Sequence, residues 1–345
     1  MWRAGSDRGP GEVGDGQSRP GIAARSAGSE HGAGGHRHGD EIHAHVEPHP
    51  HSRGSESTPT VGIVGAGAVG TALGVAISRA GWPVTAVASR DAGRRERFRS
   101  LVPGARAFVE PASIIDEVEL IILAVPDDAI PFVAEPLRLY GGQTLVHTSG
   151  LLGADALTPA LAAGSHIGAF HPLVSFTSDV ERSVAGLKGA TVALEGDDSI
   201  LGLLADLAEA IGGVAVRLPR GAKPAYHAAA VMASGGLVAL LDAIVKLAAA
   251  AGLDERGALT VYGRLIEQTL ANARANGVAA ALTGPITRGD AGTVEAHLEA
   301  LERLAPGVVE MYLAAARREL GIAEERRALS PEQLERVRAA LAKVP

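Results

Sequence analysis

A chain of 345 residues is long enough for two domains, and its 46% of hydrophobic residues can supply a large core. The formal net charge of −7 argues against nucleic-acid binding. The absence of cysteine excludes disulfides, thiolate catalysis and Cys-ligated metal sites, so a reducing cytoplasm is the expected location.

Residues 1–58 differ in composition from the rest of the chain. They are rich in Gly, His, Ser and Arg and show no hydrophobic periodicity, which predicts a disordered tail. Seven histidines there could bind a transition metal loosely, but a flexible tail or an over-extended start site is the favoured interpretation, and no metal site is predicted. These histidines are His31, His36, His38, His43, His45, His49 and His51.

No membrane span is predicted, because the chain contains no run of about 18 uncharged apolar residues. The nearest candidate is Ala228–Leu241, which is rich in Ala, Gly and Ser and is flanked by His227 and Asp242. We expect this segment to be a buried helix.

The middle of the chain (59–220) alternates short apolar runs with helical patterns, which predicts a doubly wound, mostly parallel sheet. A strand at Val61–Val64 leads into the turn Gly65–Gly70, and a helical pattern follows over Val69–Ala80. Leu120–Val125 is a continuous apolar run of the kind buried in parallel sheets. The other predicted strands are Val84–Ala88, Thr144–His147, His166–Phe170, Ala190–Gly196 and Val214–Pro219.

After Pro219 the strand patterns stop, and long Ala/Leu-rich helical patterns continue to the end of the chain. The last helix is predicted to begin at Ser330, with Gln333 completing a capping box. The predicted fold class is therefore α/β, with an N-terminal Rossmann dinucleotide-binding domain followed by an all-α C-terminal domain at 221–345. We expect a homodimer formed through this helical domain.

The segment Thr60–Gly74, TVGIVGAGAVGTALG, has the spacing GxGxxG between a strand and a helix. In this context Gly65 makes a tight turn, Gly67 lets the backbone approach a pyrophosphate, and Gly70 lets helix and strand pack closely. Free N–H groups at the helix N-terminus favour phosphates. A dinucleotide site is predicted, with contacts from Gly65, Ala66, Gly67, Ala68, Val69, Gly70, Val125 and Pro126.

The end of the second strand, VTAVASRD, bears on the choice between NAD and NADP. An NAD site normally places an acidic residue there for the ribose 2′-hydroxyl. Ser89 and Arg90 occupy that position and Arg94 follows, and a hydroxyl and guanidinium groups suit a 2′-phosphate. Asp91 is the alternative, because a shift of two positions would make it the ribose acid. The favoured cofactor is NADP(H).

Polar residues follow two later strands, where open α/β sheets bind ligands. Ser149 in HTSG could hydrogen-bond a substrate carbonyl or carboxylate, or serve the loop alone. His171 in FHPLVSF precedes a proline, which places an imidazole on a stiff, extended segment. The alternative for His171 is a core histidine bonded to the backbone.

The segment RGAKPAYHAAA contains Lys223 and His227 at the start of a helix, since Pro224 is tolerated only in a first turn. The helix dipole disfavours the ammonium there and makes it a better proton donor. The pair predicts a proton-delivery site for carbonyl or imine reduction, the alternative being a solvated lysine and a packed histidine. In TGPITRGD, Arg288 could anchor a carboxylate, with Asp290 orienting it.

Six segments occur in order between about Thr60 and Leu320: GIVGAGAVGTALG, LAVPDDAI, HTSG, HPLVSF, KPAYHAAAVMAS and LTGPITRGD. They resemble the Rossmann-like proteins with a helical C-terminal domain of unknown function (the 2520 type). These are relatives of pyrroline-5-carboxylate reductase, ketopantoate reductase and 6-phosphogluconate dehydrogenase. The resemblance implies an NADP oxidoreductase. It implies a substrate role for His171, because HPL is similar to a segment of prephenate dehydrogenases. Lys223 falls where the superfamily has its lysine, but His227 replaces the usual asparagine.

The predicted function is reduction of the carbonyl or imine of a small carboxylate-bearing metabolite by NADPH, with a ketopantoate-like 2-keto acid favoured. The alternatives are hydride exchange between NADP and a deazaflavin, and redox sensing by NADP(H) binding without turnover. Neither a nucleic acid nor a membrane is expected as a partner. The residues assigned to catalysis are Lys223, His171, His227 and Ser149, and those assigned to the substrate are Arg288 and Asp290.

Overall fold

A computed structural model describes residues 58–343 of the chain and two short strands that precede them. Those strands, β1 (His36–His38) and β2 (Glu41–His43), pair in antiparallel orientation. The predicted disordered tail at 1–58 lies almost entirely outside the described residues.

One eight-stranded sheet occupies residues 61–217. Its strands are β3 (Val61–Val64), β4 (Val84–Ala88), β5 (Arg106–Phe108), β6 (Leu120–Leu123), β7 (Thr144–His147), β8 (His166–Pro172), β9 (Thr191–Gly196) and β10 (Val214–Arg217). They lie in the order β10-β9-β8-β7-β6-β3-β4-β5. Neighbouring strands are parallel except for β8 and β9, which are antiparallel. The predicted α/β class with a mostly parallel sheet is confirmed.

The sheet is buried on both faces because its adjacent strands β3 and β6 are apolar at every position. Side chains alternate along a strand, so Leu120 and Ile122 enter one hydrophobic core while Ile121 and Leu123 enter the other. All four are fully buried, and each contributes on the order of 1.5–3 kcal/mol to folding. Two-sided burial fixes the carboxyl ends of β3, β6, β7 and β8 along one edge.

Helices cover the sheet and then continue without strands after β10. They are α1 (Ala68–Arg79), α2 (Ala92–Leu101), α3 (Ile130–Ala134), α4 (Val180–Leu187), α5 (Asp198–Ala210), α6 (Lys223–Val231), α7 (Leu237–Ala250), α8 (Glu255–Asn276), α9 (Val278–Ala281), α10 (Ala291–Leu304), α11 (Val309–Glu325) and α12 (Pro331–Leu341). The helical C-terminal region is confirmed.

Three of the last helices share their own core. Val294 and Leu298 of α10, Leu313 and Leu320 of α11, and Val337 of α12 are buried together. The predicted capping box starts α12: the Ser330 hydroxyl accepts from the backbone N–H of residue 333, whose side-chain oxygen accepts from the N–H of Ser330.

Lys223–Ala250 forms one continuous helical stretch of 28 residues, in which a π-helical turn at Met232–Gly236 joins α6 to α7. By length and apolar composition alone, this stretch could cross a membrane. The prediction that Ala228–Leu241 is buried is wrong for the single chain, because its residues are exposed or half-exposed. Such exposure is unusual for an apolar helix in a single chain.

Candidate active site

The glycine turn after β3 has the geometry of a phosphate cradle. Gly65 has a φ of +104°, and a Cβ there would overlap the Ala124 carbonyl oxygen. A Cβ on Gly70 would overlap the Gly65 carbonyl oxygen, so both glycines are required by packing. A Cβ on Gly67 would meet no atom within 4 Å. The space over Gly67 is therefore open at the N-terminus of α1, where a phosphate fits.

Other residues assigned to the cofactor border this turn. Val125 follows β6, and its Cγ1 would lie 3.1 Å from a Cβ on Gly65. Pro126 is exposed and begins the short turn at Asp127–Ala129. Ala66 is buried, and its carbonyl oxygen accepts from the Thr71 hydroxyl. The turn is thus held from the β6 side and from α1.

The loop after β4 contains exposed arginines, and its acidic residue Asp91 caps a helix. The Asp91 carboxylate accepts from the backbone N–H of Arg94 at 2.9 Å and so caps α2, a hydrogen bond that lowers the pKa of Asp91. The Arg95 guanidinium donates to the carbonyl oxygens of Ser89 and Arg90, which fixes the loop. Arg90 is exposed. Asp91 thus serves as a helix cap, and its carboxylate also lies 3.7 Å from Nε of Arg94. The assignment of Ser89, Arg90 and Arg94 to the 2′-phosphate stays a prediction.

Lys223 begins α6 and is only 1% exposed. Its ammonium donates to the Ser149 carbonyl oxygen at 2.5 Å. Burial lowers the pKa of Lys223 to about 8, and the negative charges of Glu195 and Asp127 partly oppose this shift. Desolvation is therefore the main reason that this lysine gives up its proton more readily.

Ser149 contributes to the site through its backbone. Its hydroxyl oxygen accepts from the N–H groups of Leu151 and Leu152, at 3.0 and 2.9 Å, and so closes a turn. The N–H of Ser149 donates to Nδ1 of the buried His147, whose Nε2 lies 2.9 Å from the Gly153 carbonyl oxygen. This loop therefore holds the carbonyl that contacts Lys223.

Two histidines and a tyrosine meet beside this loop. Nδ1 of His171 lies 3.3 Å from the Tyr226 hydroxyl, and the His171 ring meets the His227 ring edge-on at 5.9 Å. A Cβ on Gly150 would overlap His227 and lie 2.8 Å from Nε2 of His171, so only glycine fits between the two rings. The structure thus brings Lys223, His171 and His227 together around this loop.

The protonation of His171 follows from its surroundings. Burial, together with the positive charge of Lys223, lowers its pKa to about 4. His171 is therefore neutral near pH 7 and can accept or donate a hydrogen bond. Tyr226 was not assigned a role from the sequence, although its position three residues after Lys223 on a helix is a usable signal.

Glu195 lies on β9 and is 5% exposed, and it was not predicted from the sequence. Glu195 lines a cavity of about 480 Å³ together with Lys223, Asp155, Asp197 and Arg220. The segment ATVALEG has one acidic residue, which is typical of an ordinary strand at the edge of a sheet. The local sequence therefore does not indicate a functional role for Glu195.

Comparison with known proteins agrees with this architecture. Residues 190–319 match the family described as a domain of unknown function, DUF2520, and residues 47–172 match a Rossmann-like domain family. The chain joins a Rossmann-like domain to a DUF2520 domain. No protein with a curated description matches it significantly.

Three solved structures are similar over most of the chain. Protein TM1727 from Thermotoga maritima is 28% identical with a TM-score of 0.58, covering 77% of this chain and 99% of its own. The putative NADP oxidoreductase BF3122 from Bacteroides fragilis is 21% identical (TM-score 0.60; 77% and 98% covered). A 1-pyrroline-5-carboxylate reductase from Streptococcus pyogenes is 17% identical (TM-score 0.54; 77% and 98%). The last two show a shared fold.

The DUF2520 domain contains Lys223, His227 and also the two residues assigned to the substrate. Arg288 is exposed, and its carbonyl oxygen accepts from the side-chain amide of Gln333 in α12. Asp290 caps α10 by accepting from the N–H and the hydroxyl of Thr293. The described contacts of Arg288 and Asp290 thus lie within the helical region, and their assignment to the substrate stays a prediction.

Proposed function

We propose that this protein is an NADP(H)-dependent oxidoreductase that reduces the carbonyl or imine group of a small, carboxylate-bearing metabolite. The observation that carries the proposal is the buried ammonium of Lys223, held by the Ser149 carbonyl beside two histidines at the carboxyl edge of a Rossmann-like sheet. Ligands of open α/β sheets bind at this edge.

NADP(H) fits the residues present. The open space over Gly67 and the free N–H groups of α1 would hold the pyrophosphate, and Ser89, Arg90 and Arg94 would face the 2′-phosphate. The cofactor supplies the hydride when bound. The likeness in fold to proteins named as an NADP oxidoreductase and a pyrroline carboxylate reductase supports this choice.

Lys223 would act as the proton donor. Hydride addition builds negative charge on the carbonyl oxygen or requires a proton on the imine nitrogen, and a nearby ammonium satisfies either demand. With a pKa of about 8, Lys223 is mostly protonated at neutral pH, yet it gives up its proton more easily than an exposed lysine. The rate should therefore fall as pH rises through about 8.

The neighbouring groups would orient the substrate. Neutral His171, in contact with the Tyr226 hydroxyl, can hydrogen-bond the reacting group or the substrate carboxylate. His227 has a buried Nδ1 without a partner among the described residues, so it has a free hydrogen-bonding position. Arg288 stays the proposed carboxylate anchor, with Asp290 beside it.

Within this substrate class, a ketopantoate-like 2-keto acid is the first candidate, and pyrroline carboxylates are the second. The likeness to a pyrroline-5-carboxylate reductase supports the imine alternative at the level of fold. The cytoplasmic location predicted from the cysteine-free sequence stays a prediction.

We also propose a homodimer that covers the apolar helices of the DUF2520 domain. The occupant is a second copy of this chain, because two-fold association covers the same face on both copies at once. The large apolar residues between 231 and 278 that are more than a third exposed are Val231, Met232, Leu237, Val238, Leu240, Leu259, Val261, Leu265, Leu270 and Val278.

The test of function is a screen of NADPH oxidation against ketopantoate, other 2-keto acids and pyrroline carboxylates, repeated with Lys223→Ala. Loss of a general acid should lower kcat roughly 10²–10⁴-fold while NADPH affinity stays nearly constant. Full turnover by Lys223→Ala would reject the mechanism. If no substrate is reduced, hydride exchange with a deazaflavin and NADP(H) sensing become the better hypotheses.

A further inference from the structure

Glu195 carries a buried carboxylate oxygen that lacks a hydrogen-bond partner. The residue is 5% exposed, and its Oε1 accepts from the backbone N–H of Ala154 at 2.9 Å. Its Oε2 is buried and has no partner among the described residues. A buried carboxylate that is only half satisfied is costly, so it needs a compensating charge nearby.

Lys223 is the buried cation on the same cavity wall. Both residues line the cavity of about 480 Å³, and the ammonium donates to the Ser149 carbonyl. An ammonium buried to this degree needs more than one carbonyl to stay charged. No ion pair joins the two residues among the described contacts, so the Glu195 carboxylate attracts the ammonium by its charge and without direct contact.

The other titratable groups around Lys223 are weaker candidates for this role. His147 on β7 and His171 on β8 have pKa values lowered to about 4 by burial, so both are neutral near pH 7. His227 follows on the helix that carries Lys223. Asp127, in the turn after β6, also attracts the ammonium, but it is half-exposed and therefore screened by water. Glu195 is the buried counter-charge.

We propose that Glu195 is a positioning residue that keeps the proton on Lys223 inside the desolvated site. This inference rests on the proposed function of Lys223 as the proton donor. In each turnover the proton leaves Nζ for the substrate oxygen or nitrogen, and the neutral amine takes a replacement proton from water. The unchanged carboxylate of Glu195 favours that recovery, because it stabilises the ammonium and not the amine.

The direct test is a ¹³C NMR titration of lysine Cε in the full-length protein, without substrate or cofactor. The chain has four lysines, Lys188, Lys223, Lys246 and Lys343, so Lys223→Met assigns the resonance. Glu195→Gln keeps the side-chain volume and the oxygen that accepts from Ala154. We expect this variant to lower the titration midpoint of Lys223 by about one pH unit or more.

Asp155→Asn is the matched control, since it removes an exposed acid from the same cavity wall and should leave the midpoint nearly unchanged. An unchanged midpoint in Glu195→Gln overturns the proposal. If that variant does not fold, Glu195→Asp replaces it. The shorter side chain holds the carboxylate farther from Lys223, so the titration midpoint of Lys223 should fall by a smaller but measurable amount. An unchanged midpoint in Glu195→Asp would also overturn the proposal.

The NMR readout needs no turnover, so it stays decisive even if the substrate screen fails. Once a substrate is known, the pH at which kcat falls should be lower in Glu195→Gln than in wild type. This decrease should equal the decrease in the titration midpoint of Lys223. A purely structural role for Glu195 would lower activity equally at every pH.

Discussion

The chemistry of the site depends on how individual side chains are desolvated. One hydrogen bond, to the Ser149 carbonyl, is described for the Lys223 ammonium, and two carboxylates act on it from a longer distance. Burial lowers the pKa of Lys223 and that of His171 alike, but the consequences differ. The lysine becomes a usable acid near neutral pH, whereas the histidine becomes permanently neutral there.

The lowered pKa of Lys223 predicts a pH-dependent contribution to stability. The folded protein loses this proton near pH 8 and the unfolded chain near 10.5, so the unfolded state binds more protons in between. The free energy of unfolding of wild type, relative to Lys223→Met, should therefore rise by about 2 kcal/mol from pH 8 to 10. Urea unfolding at several pH values measures this. Lys246→Met, at an exposed lysine, is the control, and its difference in unfolding free energy from wild type should not change with pH. The prediction would be contradicted if the difference between wild type and Lys223→Met were equally independent of pH.

Cofactor selectivity is the second prediction at this scale. Arg90→Ala should weaken NADPH binding by about 1.5–3 kcal/mol, the value of a hydrogen bond to a charged group, and leave NADH binding unchanged. Titration by fluorescence measures both affinities. Arg99→Ala, which removes an exposed arginine paired with Glu96 on α2, should change neither. Equal binding of NADPH and NADH by wild type would show that these arginines do not select the 2′-phosphate.

Among the secondary-structure elements, the sequence predicted best those in which the local residue types and the packing favour the same structure. GxGxxG between a strand and a helix specified the cradle, and Pro224 located the helix start at Lys223. Glu195 could not be found because its role comes from the antiparallel pairing of β9 with β8, which brings distant residues together. The three-residue strand β5 was also missed, because Arg106–Phe108 is too short to show periodicity.

The glycine turn predicts opposite outcomes for two neighbouring substitutions. Gly67→Ala places its methyl in open space, so stability should change by less than about 1 kcal/mol. NADPH affinity should still fall on the order of tenfold, because that space is where the pyrophosphate approaches. Gly70→Ala forces a methyl onto the Gly65 carbonyl and should lower the melting temperature sharply. Thermal melts with NADPH titrations separate the two effects, and unchanged NADPH affinity in Gly67→Ala would refute the cradle.

At the scale of the whole molecule, the two regions differ in how completely one chain buries its apolar surface. The sheet is covered on both faces, and α10, α11 and α12 share a core, whereas α6, α7 and α8 leave a broad apolar face exposed. Composition alone could not distinguish a helix buried within its own chain from one covered by a second copy, because both are apolar all round.

The exposed apolar residues of α6, α7 and α8 predict that the protein is a dimer in solution. The mass of the protein in solution, measured by light scattering after size exclusion, should be that of two copies. Val238 and Leu265 are 65% and 58% exposed, so Val238→Glu with Leu265→Glu should be tolerated within one chain. In a dimer the same charges would be buried without partners, and the protein should become monomeric. Val109→Glu, at an exposed apolar residue beside β5, is the control and should leave the mass unchanged. A wild-type protein that stays monomeric at micromolar concentration would refute the dimer, and the apolar face would then need another occupant.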